Sequence, residues 1–180
     1  MTRRGEWGAL KDSLTVVVLS VAILSAVMVS QLRAQDDDVG IAMGATPAAA
    51  TIETLDGAPV DLAQYVGKKP VLLEFWATWC PICQALLPRM TAAHKKYGDR
   101  VTFLVIGVAV NESKGSIQRH LAQYPMPFQF LWDTNGNATR AFDAPATSYV
   151  VVLDAHGKVV YTGTGSDQDL DKAIEKGLKP

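Results

Sequence analysis

Cysteine is scarce in this chain: only two occur among 180 residues, at positions 80 and 83. Two cysteines are too few for the disulfide framework of a small secreted scaffold. Histidine is scarce as well, and the three residues His94, His120 and His156 are far apart. A zinc site built on the two cysteines would therefore lack two further ligands at the usual spacing.

Neither charge sign is in clear excess, because the chain has 17 basic and 18 acidic residues and residues 51–180 hold 13 of each. Binding to nucleic acid needs an excess of Lys and Arg on one face, so the composition predicts no nucleic-acid partner. At 48% hydrophobic and 19% charged residues, the chain can bury a sizeable core, which excludes wholesale disorder. We find no nucleotide-binding motif and expect no cofactor.

Charge is entirely missing from residues 13–32. As a helix this stretch would rise roughly 30 Å, about the hydrocarbon thickness of a bilayer. Arg3, Arg4 and Lys11 precede it and three aspartates follow at 36–38, which favours an N-terminus inside and the remainder outside. Two interpretations stay open: an uncleaved membrane anchor through residues 14–32, or a signal peptide cleaved near Ala34.

Residues 36–50 show no hydrophobic period and are rich in small residues and acids, which is typical of a flexible linker. We therefore divide the chain into a signal-anchor or signal peptide (1–35), a linker (36–50) and a folded domain (51–180). Hydrophobic patterning in the domain predicts strands alternating with helices, then a hairpin and a closing helix. The predicted strands are 51–55, 71–76, 101–110, 128–132, 149–153 and 158–162; a short helix or turn lies at 60–66, and the helices are 81–97, 116–124 and 167–178. This order indicates an α/β fold with helices around a mixed sheet.

The sequence Trp-Cys-Pro-Ile-Cys lies between a buried strand and a helix. Residues i and i+3 share a face where a helix begins, so Cys80 and Cys83 can form a disulfide. Unpaired N–H groups and the positive end of the helix dipole favour a Cys80 thiolate, which makes Cys80 the expected nucleophile. Cys83, one turn deeper, is the expected resolving thiol. A structural disulfide closing so short a loop would stabilise the fold little.

The domain resembles the TlpA/ResA-type, membrane-tethered thiol–disulfide oxidoreductases of the bacterial cell envelope. The matching stretches are EFWATWCPIC, Pro88 within the helix, NESK at 111–114, FLWDTNGNATRAFD and VVVLDAHGKVVY. The resemblance implies a thioredoxin fold and extracytoplasmic dithiol exchange with envelope proteins. It also implies electron supply by another membrane protein and a role in cytochrome c maturation or in reducing exported proteins. It places the substrate beside the dithiol, against Trp79, Pro81, Ile82, Pro145, Thr147 and Ser148.

Two further residues bear on the function, Glu74 before the dithiol and Leu86 after it. Glu74 falls where thioredoxin itself has a buried acid, so we expect a raised pKa and a role as proton acceptor for Cys83. The alternative is that Glu74 pairs with Lys68 or Lys69. Leu86 stands where members acting on cytochrome c often carry a glutamate, which weakens the case for that substrate.

The family places a cis-proline just before the strand that faces the dithiol. Counting back without gaps from Asp154 puts Ser148 at that position and Phe142 at the usual aromatic, while Pro145 lies three residues early. Either Ser148 replaces the proline or a local shift brings Pro145 into place. Replacement would put in doubt both the backbone edge that holds the substrate and the exclusion of metals from the sulfurs.

Three functions follow, of which a membrane-tethered dithiol–disulfide exchanger, acting as a reductase, is the leading one. A thiol peroxidase would usually carry threonine three positions before the reactive cysteine, where this chain has Ala77. A copper-binding module could use Cys80 and Cys83, but the sequence supplies no third soft ligand nearby.

Overall fold

A computed structural model describes residues 40–179, and in this part of the chain seven strands form one mixed sheet. The order across the sheet is β2-β1-β5-β4-β3-β6-β7. The strands are β1 (Thr51–Thr54), β2 (Pro59–Asp61), β3 (Val71–Trp76), β4 (Thr102–Val108), β5 (Gln129–Asp133), β6 (Tyr149–Leu153) and β7 (Val159–Gly163). The helices are α1 (Pro81–Tyr97), α2 (Lys114–Gln123), α3 (Asn137–Ala141) and α4 (Leu170–Gly177), with a 3₁₀ turn at Leu62–Gln64.

The centre of the sheet is β3, whose six residues VLLEFW are all buried. It runs parallel to β4 on one side and antiparallel to β6 on the other. β5 extends the parallel part, β1 pairs antiparallel with β5, and β7 pairs antiparallel with β6. A strand covered on both faces reads as a continuous apolar run, which is why the sequence locates β3 so well.

Three helices cover one face of the sheet. Phe103 of β4 packs against His94 of α1, Trp76 of β3 packs against His120 of α2, and Gly177 of α4 lies against Val152 of β6. Leu72 is in register with both Phe103 and Val152, so the alternate β3 residues Leu72, Glu74 and Trp76 all point to this face. On the opposite face, Phe75 contacts Phe142, which follows α3, and Tyr149 of β6.

The folded domain begins earlier than the sequence predicts. Ile41 is buried, and its N–H donates to the Phe142 carbonyl and to the Tyr149 hydroxyl. The Gly44 N–H donates to the Val159 carbonyl, and the Val159 N–H donates to the Ala45 carbonyl. The expected linker at 36–50 is therefore wrong for residues 41–50, which form an arm of the domain. Small residues suggested flexibility, but backbone hydrogen bonds at Ile41, Gly44 and Ala45 hold this segment against the domain.

Glycine is required at the start of this arm. Gly40 has φ +92°, and a Cβ at this position would meet the Tyr149 hydroxyl oxygen at 2.0 Å. In the described residues 40–179 no helix is both long and apolar enough to cross a membrane. The anchor expected at residues 14–32 lies outside the described residues.

Two helix boundaries differ from the sequence prediction for reasons of capping. α2 begins at Lys114 because Ser113 and Ser116 form a reciprocal capping box. α4 begins at Leu170 because the Asp169 side chain accepts from the Lys172 N–H, which makes Asp169 the cap. The sequence pattern does not predict the short helix α3.

Candidate active site

The two cysteines lie where β3 ends and α1 begins. Cys80 is the N-cap of α1, Pro81 follows at the first helical position, and Cys83 lies in the first turn. The sulfurs form a disulfide across a Cα–Cα distance of 5.4 Å. The Cys83 N–H donates to the Cys80 Sγ over 3.0 Å. Because this donor belongs to the unpaired first turn of the helix, it would also stabilise a Cys80 thiolate once the disulfide is reduced.

Both sulfurs are shielded, whereas the residues beside them are exposed. Cys80 is 2% exposed and Cys83 is 1% exposed in the disulfide form. Trp79 and Ile82, by contrast, are 46% and 48% exposed. Cys80 is therefore covered in the disulfide state, although it lies at the end of α1. A partner protein would first meet the side chains of Trp79 and Ile82.

The turn that precedes Cys80 is held by the loop between β4 and α2. The Thr78 N–H donates to Glu112 Oε2 at 2.6 Å, and the Trp79 indole N–H donates to the Val110 carbonyl at 2.9 Å. Gln84 from α1 donates to the Thr78 carbonyl at 3.2 Å. In the sequence, residues 111–114 stand out only as a stretch that resembles the family, and nothing there assigns a role to Glu112. The contact joins residues 34 positions apart, so no local pattern reveals it.

Glu74 is the buried acid that the sequence singles out. It lies on the same face of the sheet as α1, is 2% exposed, and its Oε1 has no hydrogen-bond partner. Among the described residues it forms no ion pair with Lys68 or Lys69. Burial without a compensating charge raises the pKa of Glu74 to about 8.

Ser148, and not Pro145, stands directly before β6. Its N–H donates to the Phe75 carbonyl at 2.7 Å, a bond that proline could not make. Its Oγ accepts from the Gly165 N–H, and its carbonyl accepts from the buried side chain of Gln168. Ser148 has φ +58°, a conformation that proline cannot adopt.

Two clefts lie beside the dithiol. A cavity of about 260 Å³ is lined by Trp79, Val110, Pro145 and Thr147 and by further uncharged residues. A larger cleft of about 670 Å³ includes Ile82 and carries charge of both signs, from Asp167, Asp169, Lys172 and Lys176. Of the residues that the resemblance places against the substrate, Trp79, Pro145 and Thr147 line the smaller cleft and Ile82 lines the larger one. Pro81 lies between the cysteines, and Ser148 is buried.

A thioredoxin-type sheet with a CxxC disulfide at the N-terminus of α1 defines the class of thiol–disulfide oxidoreductases. Within residues 40–179 no three His, Cys, Asp or Glu side chains are grouped so as to hold a metal ion. The chemistry that the site supports is thiolate attack on a disulfide, with two electrons exchanged between Cys80–Cys83 and a partner.

Comparison with known proteins agrees with this class. Residues 42–177 match the Redoxin family. The thiol-disulfide oxidoreductase ResA of Halalkalibacterium halodurans is 28% identical over 131 residues, covering 72% of this chain and 73% of the relative.

Two solved structures have the same fold. One is a putative thiol:disulfide interchange protein DsbE from Chlorobium tepidum, with a TM-score of 0.64, 25% identity, and coverage of 77% of this chain and 96% of that one. The other is a secreted Mycobacterium tuberculosis disulfide oxidoreductase homologous to E. coli DsbE, with a TM-score of 0.59, 28% identity, and coverage of 71% and 92%. The chain belongs to the Redoxin family, and it is a thiol–disulfide oxidoreductase of the ResA/DsbE type.

Proposed function

We propose that the protein is an extracytoplasmic reductase that exchanges its dithiol with disulfides of cell-envelope proteins. The observation that carries disulfide exchange is the position of Cys80 at the N-cap of α1, with a helix N–H directed at its sulfur, and the direction as a reductase rests on the family resemblance. An N-terminal helix position lowers the pKa of a thiol and makes it the attacking group. The secreted disulfide oxidoreductase of Mycobacterium tuberculosis supports a location outside the cytoplasm.

The reaction has two displacements. The Cys80 thiolate attacks one sulfur of a substrate disulfide, so a Cys80–substrate bond forms and the other substrate sulfur leaves as a thiolate that takes up a proton. The Cys83 thiolate then attacks the Cys80 sulfur, releases the second substrate thiol and restores the Cys80–Cys83 disulfide. Two electrons pass to the substrate, so a membrane dithiol donor must reduce the protein again for the next cycle.

Glu74 is the proposed acceptor of the Cys83 proton. Its pKa of about 8 leaves a fraction of the carboxyl ionised near neutral pH, and this ionised form can accept a proton. Its place on the α1 face of β3 and its unpartnered oxygen support this role. Cys80, at the helix end, already has the helix N–H groups and needs no such acceptor.

The test is reduction of a protein disulfide by the full-length protein and by Cys80→Ser and Cys83→Ser variants. Loss of Cys80 should abolish turnover, and loss of Cys83 should trap a mixed disulfide that accumulates instead of resolving. Unchanged turnover in either variant would contradict the proposal.

A second experiment separates the two displacements in the Glu74→Gln variant by stopped-flow mixing. Attack by Cys80 should be nearly unchanged, while resolution should slow by on the order of 10²–10⁴-fold, the usual cost of removing a proton acceptor. Equal rates in wild type and variant would leave Glu74 without a catalytic role.

The membrane anchor at residues 14–32 is part of the same proposal, and it is supported by the charge pattern that flanks that stretch. Fractionation of the full-length protein in a bacterial host should recover it with the membrane. Recovery only as a soluble species that begins near Gln35 would show a cleaved signal peptide instead.

A further inference from the structure

Gln168 lies in the loop between β7 and α4 and is buried, although glutamine is mostly exposed in proteins. Its side-chain amide donates to the Ser148 carbonyl at 3.1 Å and to the Gly165 carbonyl at 2.7 Å. Its side-chain oxygen accepts from the Tyr161 hydroxyl at 3.1 Å. The amide nitrogen and the oxygen therefore both have partners, and we call Ser148, Tyr161, Gly165 and Gln168 the Gln168 network.

Ser148 is the member of this network whose backbone is strained. Its φ of +58° lies in the left-handed region, which residues with a Cβ rarely adopt. Three hydrogen bonds hold it there: its N–H donates to the Phe75 carbonyl, its Oγ accepts from the Gly165 N–H, and its carbonyl accepts from Gln168. Two of these three bonds come from the loop between β7 and α4. The conformation of the residue before β6 therefore depends on that loop.

The backbone leaves room for the network at Gly163, the last residue of β7. A Cβ at this position would lie within 3.0 Å of both the Tyr161 hydroxyl oxygen and Gln168 Oε1. Any other residue there would displace the hydroxyl or the amide. The hydrogen bond between Tyr161 and Gln168 therefore requires glycine at this position.

The network connects the two clefts that lie beside the dithiol. Thr147 lines the smaller cleft together with Trp79, and it directly precedes Ser148. Gly165 lines the larger cleft together with Ile82. Hydrogen bonds tie Ser148 to Gly165 both directly and through the glutamine amide. One wall of the smaller cleft and one wall of the larger cleft are therefore fixed to each other.

We propose that Gln168 is a positioning residue for polypeptide substrates, which aligns the two clefts so that the chain on either side of a substrate disulfide occupies both. The amide does this by holding Ser148 and Gly165 together, and it takes no part in making or breaking bonds. A small disulfide has no chain to place in the clefts and does not need this alignment. The inference rests on the proposed reductase function and names polypeptide segments as its substrate class.

The experiment mixes the reduced full-length protein with increasing concentrations of insulin or of hydroxyethyl disulfide and measures the rate of its reoxidation. Insulin presents polypeptide around its disulfides, whereas hydroxyethyl disulfide does not. Gln168→Met removes the amide and keeps the length of the side chain, and Ser148→Ala removes only the hydroxyl bond to Gly165. Gln129→Met is the matched control, because it removes a glutamine–tyrosine bond, to Tyr65, at the end of the sheet opposite the dithiol.

Gln168→Met should raise the insulin concentration at half saturation by about tenfold, because two carbonyls lose their donor and the cleft walls are no longer held together. The limiting rate with insulin should stay within about twofold of wild type, and the rate with hydroxyethyl disulfide should not change. Ser148→Ala should raise the insulin concentration at half saturation by about threefold, since it removes one bond of the network. Gln129→Met should behave as wild type with both disulfides.

A network that only stabilises the fold would lower the melting temperature of Gln168→Met without changing the insulin concentration at half saturation, and that result would overturn the proposal. Equal slowing with both disulfides would also overturn it, because the dithiol itself would then be disturbed, as would an equal effect in Gln129→Met. If Gln168→Met does not fold, Ser148→Ala decides between the same outcomes. Failure of the wild-type protein to reduce either disulfide would instead refute the proposed reductase function.

Discussion

Two glutamates near the dithiol occupy opposite environments. Glu74 lies in the middle of the sheet with one oxygen unpartnered, while Glu112 lies in the loop between β4 and α2 with three donors around its carboxylate. Burial raises the pKa of the first to about 8, and hydrogen bonding lowers the pKa of the second. A glutamate is thus a candidate proton carrier in the sheet and a permanent charge in the loop. The difference follows from the hydrogen-bond donors, which surround Glu112 and leave one oxygen of Glu74 without a partner.

The largest effect on stability is expected at Glu74. Its pKa is about 8 in the folded protein and near 4.5 in the unfolded chain, so the unfolded state releases the proton first as pH rises. Stability is therefore lost progressively from about pH 4.5 to about pH 8, at roughly 1.4 kcal/mol per pH unit. Relative to Glu74→Gln, which has no such titration, the wild type should lose on the order of 3–5 kcal/mol over this range.

Urea denaturation of wild type and Glu74→Gln across this pH range measures the difference directly. The internal control is the range below about pH 3.5, where Glu74 is protonated in both states and the gap between the proteins should no longer change with pH. If the free energies of unfolding of wild type and Glu74→Gln changed in parallel with pH, Glu74 would be ionised in the folded protein at neutral pH. Its pKa would then not differ in direction from that of Glu112.

A second buried acid, Asp133, has hydrogen-bond partners and can be compared with Glu74. Asp133 at the end of β5 is 1% exposed, and its two oxygens accept from the Ala138 N–H, the Thr139 N–H and the Thr139 hydroxyl. These bonds tie β5 to α3. Asp133→Ala should therefore destabilise the protein by about 2–4 kcal/mol at neutral pH, the cost of leaving buried donors unpaired.

Denaturation at neutral pH checks this, with Thr139→Val as a control that removes only the hydroxyl bond and should cost about 1 kcal/mol. Replacing Glu74 would then stabilise the fold, whereas replacing Asp133 would destabilise it. The two substitutions would change the free energy of unfolding in opposite directions. An Asp133→Ala protein as stable as wild type would show that burial alone, and not hydrogen bonding, governs these acids.

The sequence predicts best where burial dictates a pattern. The bounds of β3, α1 and β6 agree with the sequence prediction because continuous apolar runs and a helical period mark them. The dithiol and the buried acid can also be predicted from the sequence, because CxxC and a glutamate inside VLLEFW are local features. Family resemblance supplied the thioredoxin fold and directed attention to Ser148.

What the sequence could not provide depends on contacts between distant segments. The arm at 41–50 looks like a linker until Ile41 meets Tyr149, 108 residues away. The short helix α3 has no side-chain cap of its own and is held by Asp133, which lies before the intervening turn. Ser148 could be placed only once its N–H was seen to bond Phe75. Glu112 belongs to the same group, because its partner Thr78 lies on another element.

The smallest expected effect is the contribution of Glu112 to stability, and its sign should be opposite to that of Glu74. Because the folded-state pKa of Glu112 lies below that of the unfolded chain, its stabilisation is present above about pH 4.5 and is lost as pH falls through the folded-state pKa. Solvent still screens this partly buried carboxylate, so the difference between wild type and Glu112→Gln should stay below about 1 kcal/mol. Denaturation at about pH 3 and about pH 7 should show wild type ahead only at the higher value. In Glu74→Gln the variant gains as pH rises, so the two curves should diverge in opposite directions. Curves that diverge in the same direction would show that the hydrogen bonds from Thr78, Ser113 and Ser116 do not hold Glu112 in its charged form.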